Sequence, residues 1–375
     1  MKKKMRYFDY SMMAVLVCLV CFGLVMLYSP SAYSALIDYG DSMYYFKRQI
    51  IFCAAGFIGM WIVSRINYHF YIKWAKSLYF LSVLLMLLVQ TPLGKTVNGA
   101  RRWIKLPFNQ QFQPAEVTKI AVILFIPVVI IKLGKEARTL KGIGRVLLWG
   151  GFSALCVYKL TDNLSTAIIV FGITCMMIFV THPKTKPFIA LAAAGLGAVI
   201  VGVQVLARLL ASSDNFRVQR IITWLDPEKY AAGDGFQILQ GLYAIGSGGF
   251  FGKGLGNSAQ KMVIPEVQND MILSVICEEL GVFGAIMILV LFAMLLYRLI
   301  FIAQNAPDMY GSMIVTGIFA HIALQVILNV AVVTNLIPTT GITLPFISYG
   351  GTSLLFLMAE MGIAFGVSGS IKIDE

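Results

Sequence analysis

The chain has 375 residues, of which 58% are hydrophobic and only 13% charged, with a formal net charge of +12. Soluble domains run near 45–50% apolar and about 25% charged, so this composition excludes an ordinary soluble domain and indicates an integral membrane protein. The basic excess does not call for nucleic acid, because cytoplasmic loops and anionic lipid account for it.

Apolar runs of the roughly 17–25 residues that an α-helix needs to cross a bilayer recur near 10–28, 49–66, 75–91, 115–133, 144–160, 163–181, 187–210, 270–297, 310–334 and 346–368. The expected fold is an all-α integral membrane protein of about ten transmembrane helices. It forms a single polytopic domain over 1–375, with a large extracytoplasmic loop, 211–269, between helices 7 and 8. Strand-period alternation is absent from these windows, which disfavours a β-barrel. The start "MKKKMRYFDYS" carries the charge of a signal peptide. Its apolar region exceeds the usual 7–15 residues, so it reads as an uncleaved first helix. Lys2, Lys3, Lys4 and Arg6 then fall on the same side as Arg65, Lys73, Lys76, the cluster from Lys132 to Arg145, Lys184 and Lys186. The positive-inside bias makes that side cytoplasmic and places both termini there. Cys18 and Cys21 form a C-x-x-C within the first run, with no His or second pair nearby, and read as packing residues.

One of the two substantial external loops is "QTPLGKTVNGARRWIKLPFNQQFQPAE", residues 90–116. It places Lys95, Arg101, Arg102 and Lys105 outside with no acid until Glu116, against the positive-inside bias. These are either tolerated basic residues or groups balanced by an anionic ligand, and arginine suits multidentate recognition of phosphate. In "QPAEVTK", Pro114 suits a first helical turn. Glu116 and Lys119 are three apart and can meet on the helix surface, as a structural ion pair or as site residues. In the 211–269 loop, "GSGGFFGKGLG" fits neither the P-loop nor the dinucleotide spacing. It reads as turns and close backbone packing, and no nucleotide is expected. "FQILQGLYAI" reads as a short amphipathic helix lying at the surface.

The stretch "KMVIPEVQNDMILSVICEELG", 261–281, sets Asp270 where this loop meets the next apolar run. A helix cap by Asn269 or Asp270 is the plain reading. Ser274 one turn on and Glu278 two turns on keep one face polar into the bilayer, which a cap does not need and a polar cavity does. Glu279 points roughly the other way. In "NVAVVTNLIPTTGITLPFISYGGTSLLF", 329–356, Pro338, Gly341, Pro345, Gly350 and Gly351 interrupt an apolar run. Irregular backbone at membrane depth is tolerated only when buried in protein or lining a wet cavity. Asn329, Asn335, Ser348, Tyr349, Thr352 and Ser353 are candidates to line one.

"NGARRW", "QPAEVTK", "GFQILQGLYAIGSGGFFGKGLGNSAQK", "PEVQNDMILSVICEELG" and "NLIPTTGITLPFISYGGTS" occur in the order seen in the SEDS family, that of FtsW, RodA and SpoVE, which the chain resembles over nearly its whole length. "FISYGGTS" leans toward the FtsW/SpoVE side. The resemblance implies a peptidoglycan glycosyltransferase that polymerises lipid II at the outer face of the bacterial cytoplasmic membrane, for cell division or cell shape. It further implies work beside a class B penicillin-binding protein, the transpeptidase that cross-links the product, and other divisome or elongasome membrane proteins.

The family's essential aspartate falls on Asp270, its Arg-Trp pair on Arg102 and Trp103, and its Q-P-A-E-x-x-K on Gln113, Pro114, Ala115, Glu116 and Lys119. Two departures stand out. "QND" replaces a frequent H-T-D, and "DNLST" (162–166) puts Asn163 where an acid is common, so nothing is assigned there.

The implied reaction is an inverting attack of a sugar 4-hydroxyl on the anomeric carbon of a lipid-pyrophosphate-linked sugar. Asp270 would act as general base. Arg102, Lys105 and Lys119, or a divalent cation such as magnesium or manganese, would meet the pyrophosphate. Gln113, Glu116, Glu266, Ser274 and Glu278 complete the candidate substrate-binding set. A lipid II flippase would use the same basic loop and interrupted helices, though an external acid at a helix start suits chemistry better. A bare scaffold leaves the buried acids without a purpose.

Overall fold

The computed structural model describes residues 7–97, 100–106, 110–209, 216–231, 233 and 235–371. Lys2, Lys3, Lys4 and Arg6 lie outside the described residues. The helices before the 90–116 loop are α1 (Tyr10–Tyr39), α2 (Tyr44–Arg65) and α3 (Phe70–Val89), followed by strands β1 (Gly94–Val97), β2 (Ala100–Leu106) and β3 (Gln110–Phe112). Next come α4 (Pro114–Leu133), α5 (Leu140–Leu160), α6 (Leu164–Thr181), α7 (Lys186–Leu209), α8 (Phe216–Leu225) and α9 (Phe236–Gly248). The chain closes with α10 (Ile272–Asn305), α11 (Met309–Val333) and α12 (Gly351–Ser368). Among the described residues nine helices, α1–α6 and α10–α12, are long and apolar enough to cross a membrane. They fall on nine of the expected runs, and α7 falls on the other one. This is a multi-pass membrane protein.

Polar side chains define the helix starts. Asp9, Thr139, Asn163 and Asp308 accept the backbone N–H three residues on at α1, α5, α6 and α11, at 2.9, 3.1, 3.0 and 2.8 Å. Such caps satisfy donors that have no partner within the helix. Asp9 also receives Arg298 of α10 at 2.7 Å, and Phe8 stacks on Phe365 of α12. The start of α1 and the end of α12 therefore meet at one end of the bundle. The opposite end carries the sheet, α8, the start of α10 and the α11–α12 connection.

The sheet was not expected, since the 90–116 loop alternates too briefly to stand out. It is antiparallel in the order β1-β2-β3. Lys95 pairs with Trp103 and Thr96 with Arg101, so Arg102 is the extra residue of a β-bulge. A bulge re-aims a side chain out of the alternating pattern.

The expected run 346–368 starts as a helix only at Gly351. Before it the backbone stays irregular, and Leu344, Phe346 and Ile347 are buried. A Cβ on Gly23 of α1 would lie 2.7 Å from the Phe346 carbonyl oxygen. The connection therefore tucks against the middle of α1, as the rule for irregular backbone at membrane depth requires.

The apolar run from 270 to 297 hides a break. α10 is 34 residues long, but Gly281 interrupts it with φ 70° and ψ −168°. The Glu278 and Glu279 carbonyls, freed by the break, accept the N–H groups of Lys253 and Gly254, both at 2.9 Å. The N–H groups of Val282 and Phe283 donate to the Gly249 and Phe250 carbonyls at 3.0 and 3.1 Å. The glycine-rich segment thus supplies the partners that the helix lost, roughly 13 Å below the start of α10 at 1.5 Å per residue. A Cβ on Gly252 or Gly281 would overlap that backbone. The expected turns and close packing are present, but at depth.

α9 does not lie on the surface as its amphipathic pattern predicts. Its Gly241 abuts Met271 and its Gly248 abuts Cys277, so it descends alongside the first half of α10. Burial of its apolar face between protein elements outweighs adsorption to the interface. Gly281 occupies backbone space that is essentially restricted to glycine. We expect Gly281→Val to lower the thermal midpoint and the yield of monodisperse protein sharply, measured by fluorescence-detected gel filtration after heating.

Candidate functional site

Asp270 stands just before α10, where the segment that fills the break returns to the end of the bundle. It is not the cap of that helix: Met271 holds the cap position, with no side-chain cap bond. Asn269 turns instead to the Glu266 carboxylate, at 3.1 Å. The Asp270 carbonyl accepts the Asn329 side-chain amide at 2.9 Å, and that same nitrogen reaches the Ile342 carbonyl at 2.7 Å. Asn329 is fully buried. One α11 side chain therefore ties Asp270 to the α11–α12 connection.

Across from the carboxylate lies Gly341, whose Cβ, if present, would be 3.8 Å from Asp270 Oδ2. Asp270 itself is half-buried. Burial pushes its carboxyl up to about 6, against a backbone hydrogen bond that lowers it; nearby Glu266 adds to the rise and Arg220 opposes it.

Arg220 was missed in the sequence reading. It comes from α8 and donates to the Thr339 carbonyl at 3.4 Å, while Trp224, one turn on, donates to the Asn335 carbonyl at 2.9 Å. Both bonds dock α8 on the interrupted connection. The signal was available: a basic residue on an external loop, beside a tryptophan, is the same anomaly that marked residues 90–116.

The basic sheet approaches from the other side. Arg102, thrown out by the bulge, donates to the Asp162 carbonyl at 3.1 Å. Ser165, in the first turn of α6, donates to the Thr340 carbonyl at 3.0 Å. Arg102, the start of α6, Thr340, Gly341 and Asp270 thus follow one another around a single rim. Asn163, to which no role was assigned, caps α6 there. Lys105 is exposed on β2 opposite Gln111.

Other expected site residues go elsewhere. Glu116 and Lys119 are both buried and pair with each other at 2.9 Å. Ser353 of α12 donates to Glu116 at 3.3 Å. Their charges are used within the seam between α4 and α12, and Gln113 is the half-buried residue that precedes α4. Glu266 is exposed, with a positive φ of 47°.

Among the described residues, the polar side chains expected to continue below Asp270 turn to protein partners. Ser274 is buried and donates to its own turn, at the Met271 carbonyl, 2.6 Å away. Glu278 is fully buried, and its carboxylate takes Lys253 at 2.6 Å, Ser258, and the N–H groups of Ala259 and Gln260, both at 3.2 Å. A carboxylate with that many donors is neutralised locally. It clamps the segment that fills the α10 break. Glu279 likewise takes Ser29 of α1.

Comparisons with known proteins bear on this arrangement. A family profile described as "Cell cycle protein", FTSW_RODA_SPOVE, matches residues 9–372. The chain is similar to the stage V sporulation protein E of Bacillus subtilis strain 168, with 39% identity over 362 residues, covering 96% of each chain. It is also similar to a probable peptidoglycan glycosyltransferase FtsW of Trichlorobacter lovleyi, with 38% identity over 386 residues, covering 100% of this chain and 97% of that one. A solved chain from "Structural coordination of polymerization and crosslinking by a peptidoglycan synthase complex" has the same fold. It gives a TM-score of 0.77 at 24% identity and covers 96% of this chain and 97% of that one.

Proposed function

The chain belongs to the FtsW/RodA/SpoVE family of cell cycle proteins, and from that membership and the rim around Asp270 we propose that it is a peptidoglycan glycosyltransferase polymerising lipid II at the outer face of the cytoplasmic membrane. Full-length similarity to proteins named as probable peptidoglycan glycosyltransferases supports the activity. The observation that carries the site assignment is Asp270: a half-buried carboxyl with a raised pKa, facing Gly341 at the end of the bundle.

In this reading the acceptor sugar approaches Asp270 over Gly341. The 4-hydroxyl oxygen bonds to the anomeric carbon as the bond from that carbon to the lipid pyrophosphate breaks, with inversion. Asp270 takes the hydroxyl proton and later loses it to water. Such a base contributes about 10²–10⁴-fold. The departing pyrophosphate needs positive charge more than it needs an acid. Arg102 and Arg220, at opposite ends of the rim, and exposed Lys105 are the groups to supply it, while Lys119 is committed to Glu116.

Among the described residues no three His, Cys, Asp or Glu side chains converge on a metal position. A magnesium or manganese ion needs only one or two carboxylates beside substrate phosphates, and exposed Glu266, close to Asp270, would provide one. Such an ion would add positive charge at the pyrophosphate. A class B penicillin-binding protein is the proposed partner, supported by the shared fold with a chain from a synthase complex. The end of the bundle where α1 begins and α12 ends is assigned to the cytoplasm, on the positive-inside bias.

Purified protein supplied with lipid II and no other polymerase is expected to make glycan strands, resolved on gels; lipid II left unpolymerised under all divalent-ion conditions would refute the reading. The pH profile supplies a second check. The base must be ionised, so the rate should be flat above about 6 and fall about tenfold per pH unit below it. A profile unchanged down to pH 4.5 would exclude Asp270 as the base.

A further inference from the structure

At the end of the bundle where α1 begins and α12 ends, a cavity of about 580 Å³ opens between the α2–α3 turn, the end of α4, the end of α6 and the start of α11. That size falls within the range of about 300–1,000 Å³ typical of ligand sites. Ile72, Ile131 and Met309 give it apolar walls, Lys135 and Arg138 bring positive charge to its lining, and His69, Thr181, Asp308 and Tyr310 add polar groups.

Asp308, which lines the cavity, and Glu136 nearby are already committed. Asp308 accepts the N–H of Gly311 at 2.8 Å and the Tyr68 hydroxyl, and pairs with His69 at 3.0 Å. Glu136, between the two cations in sequence, pairs with Arg145 at 2.7 Å. Among the described residues neither Lys135 nor Arg138 has an acid partner. The backbone beneath them is fixed, because the His182 ring contacts the Arg138 carbonyl at 3.1 Å. Two unneutralised cations are thus held at the mouth of an apolar cavity, level with the ends of membrane-spanning helices.

A soluble anion would satisfy the cations and leave the apolar walls in water. A neutral lipid would cover the walls and leave the cations unmet. An amphiphile with a phosphate head and acyl chains answers both, and basic pockets between helix ends are a known setting for anionic headgroups. We propose that this cavity binds the phosphate head of an anionic membrane phospholipid, with Lys135 and Arg138 meeting the phosphate and Ile72, Ile131 and Met309 lining the path of the chains. The site lies at the far end of the bundle from Asp270 and does not depend on the catalytic reading.

The test uses the purified full chain in neutral detergent, titrated with phosphatidylglycerol or with phosphatidylcholine of the same chains, and reads bound lipid by native mass spectrometry. We expect the wild type to prefer phosphatidylglycerol by on the order of tenfold, a preference that weakens as salt is raised. K135Q/R138Q should reduce the preference to near unity. The control K73Q/K76Q makes the same charge change at the same end, outside the cavity, and should keep it. Equal binding of both lipids by the wild type, or an equal loss in the control, would overturn the proposal. Displacement of phosphatidylglycerol by millimolar inorganic phosphate would overturn it in favour of a soluble anion. The wild-type salt and lipid comparisons decide the matter even if a variant fails to fold.

Discussion

Asp270→Asn is expected to lose polymerisation of lipid II by about 10²–10⁴-fold while gaining stability at neutral pH. The two effects share one cause. The carboxyl is raised to about 6 from an ordinary value of 3.8, chiefly by burial, so ionising it is harder in the folded protein than in the unfolded chain. The sign follows from proton linkage. A raised acid stabilises the fold fully below pH 3.8, and that contribution is lost as pH rises through about 6. At pH 7 the wild type therefore bears a cost of up to about 3 kcal/mol that the amide does not. Thermal midpoints at pH 5 and pH 8 measure it: the variant's gain over the wild type should be about twice as large at pH 8 as at pH 5. A variant that polymerises at the wild-type rate would remove Asp270 from the mechanism. One that is inactive but less stable at both pH values would point to a structural defect.

The second large effect lies in the seam between α4 and α12. Glu116→Gln leaves the Lys119 ammonium buried without its partner, and breaking such a pair costs about 3–5 kcal/mol. We expect little folded protein, judged by gel filtration and thermal midpoint. Replacing both residues with apolar ones of similar size, Glu116→Leu with Lys119→Met, should recover most of that loss, because no charge then remains to be solvated. Polymerisation by the double variant separates two roles. Recovered activity, the outcome expected from two side chains that spend their charge on each other, makes the pair a support for α12 and Ser353. A stable but inactive double variant would return them to the substrate.

The membrane spans were legible because long apolar runs are a one-dimensional signal, and nine described helices fall where such runs occur. Asp270 was legible for a related reason, as an acid at the mouth of one of those runs. What stayed hidden depends on partners distant in the chain. Nothing in "SVICEELGVFG" announces a break at Gly281, since glycine is common in membrane helices; only the Gly248–Gly254 segment, arriving from earlier in the chain, makes it affordable. Glu278 looked like a cavity acid because its donors, Lys253 and Ser258, sit in a loop whose path was unknown. Arg102 was found by its charge, but its aim toward α6 comes from a bulge that depends on strand register. Arg220 was overlooked among the polar residues of a long loop.

The spliced α10 has a consequence for biogenesis. An insertion channel releases helices whose backbone is self-sufficient, and the first half of α10 is not: the groups exposed at Gly281 are unsatisfied in hydrocarbon until residues 248–254 reach them. Those residues are synthesised earlier, so they must wait near the channel and enter lipid together with α10 as one unit.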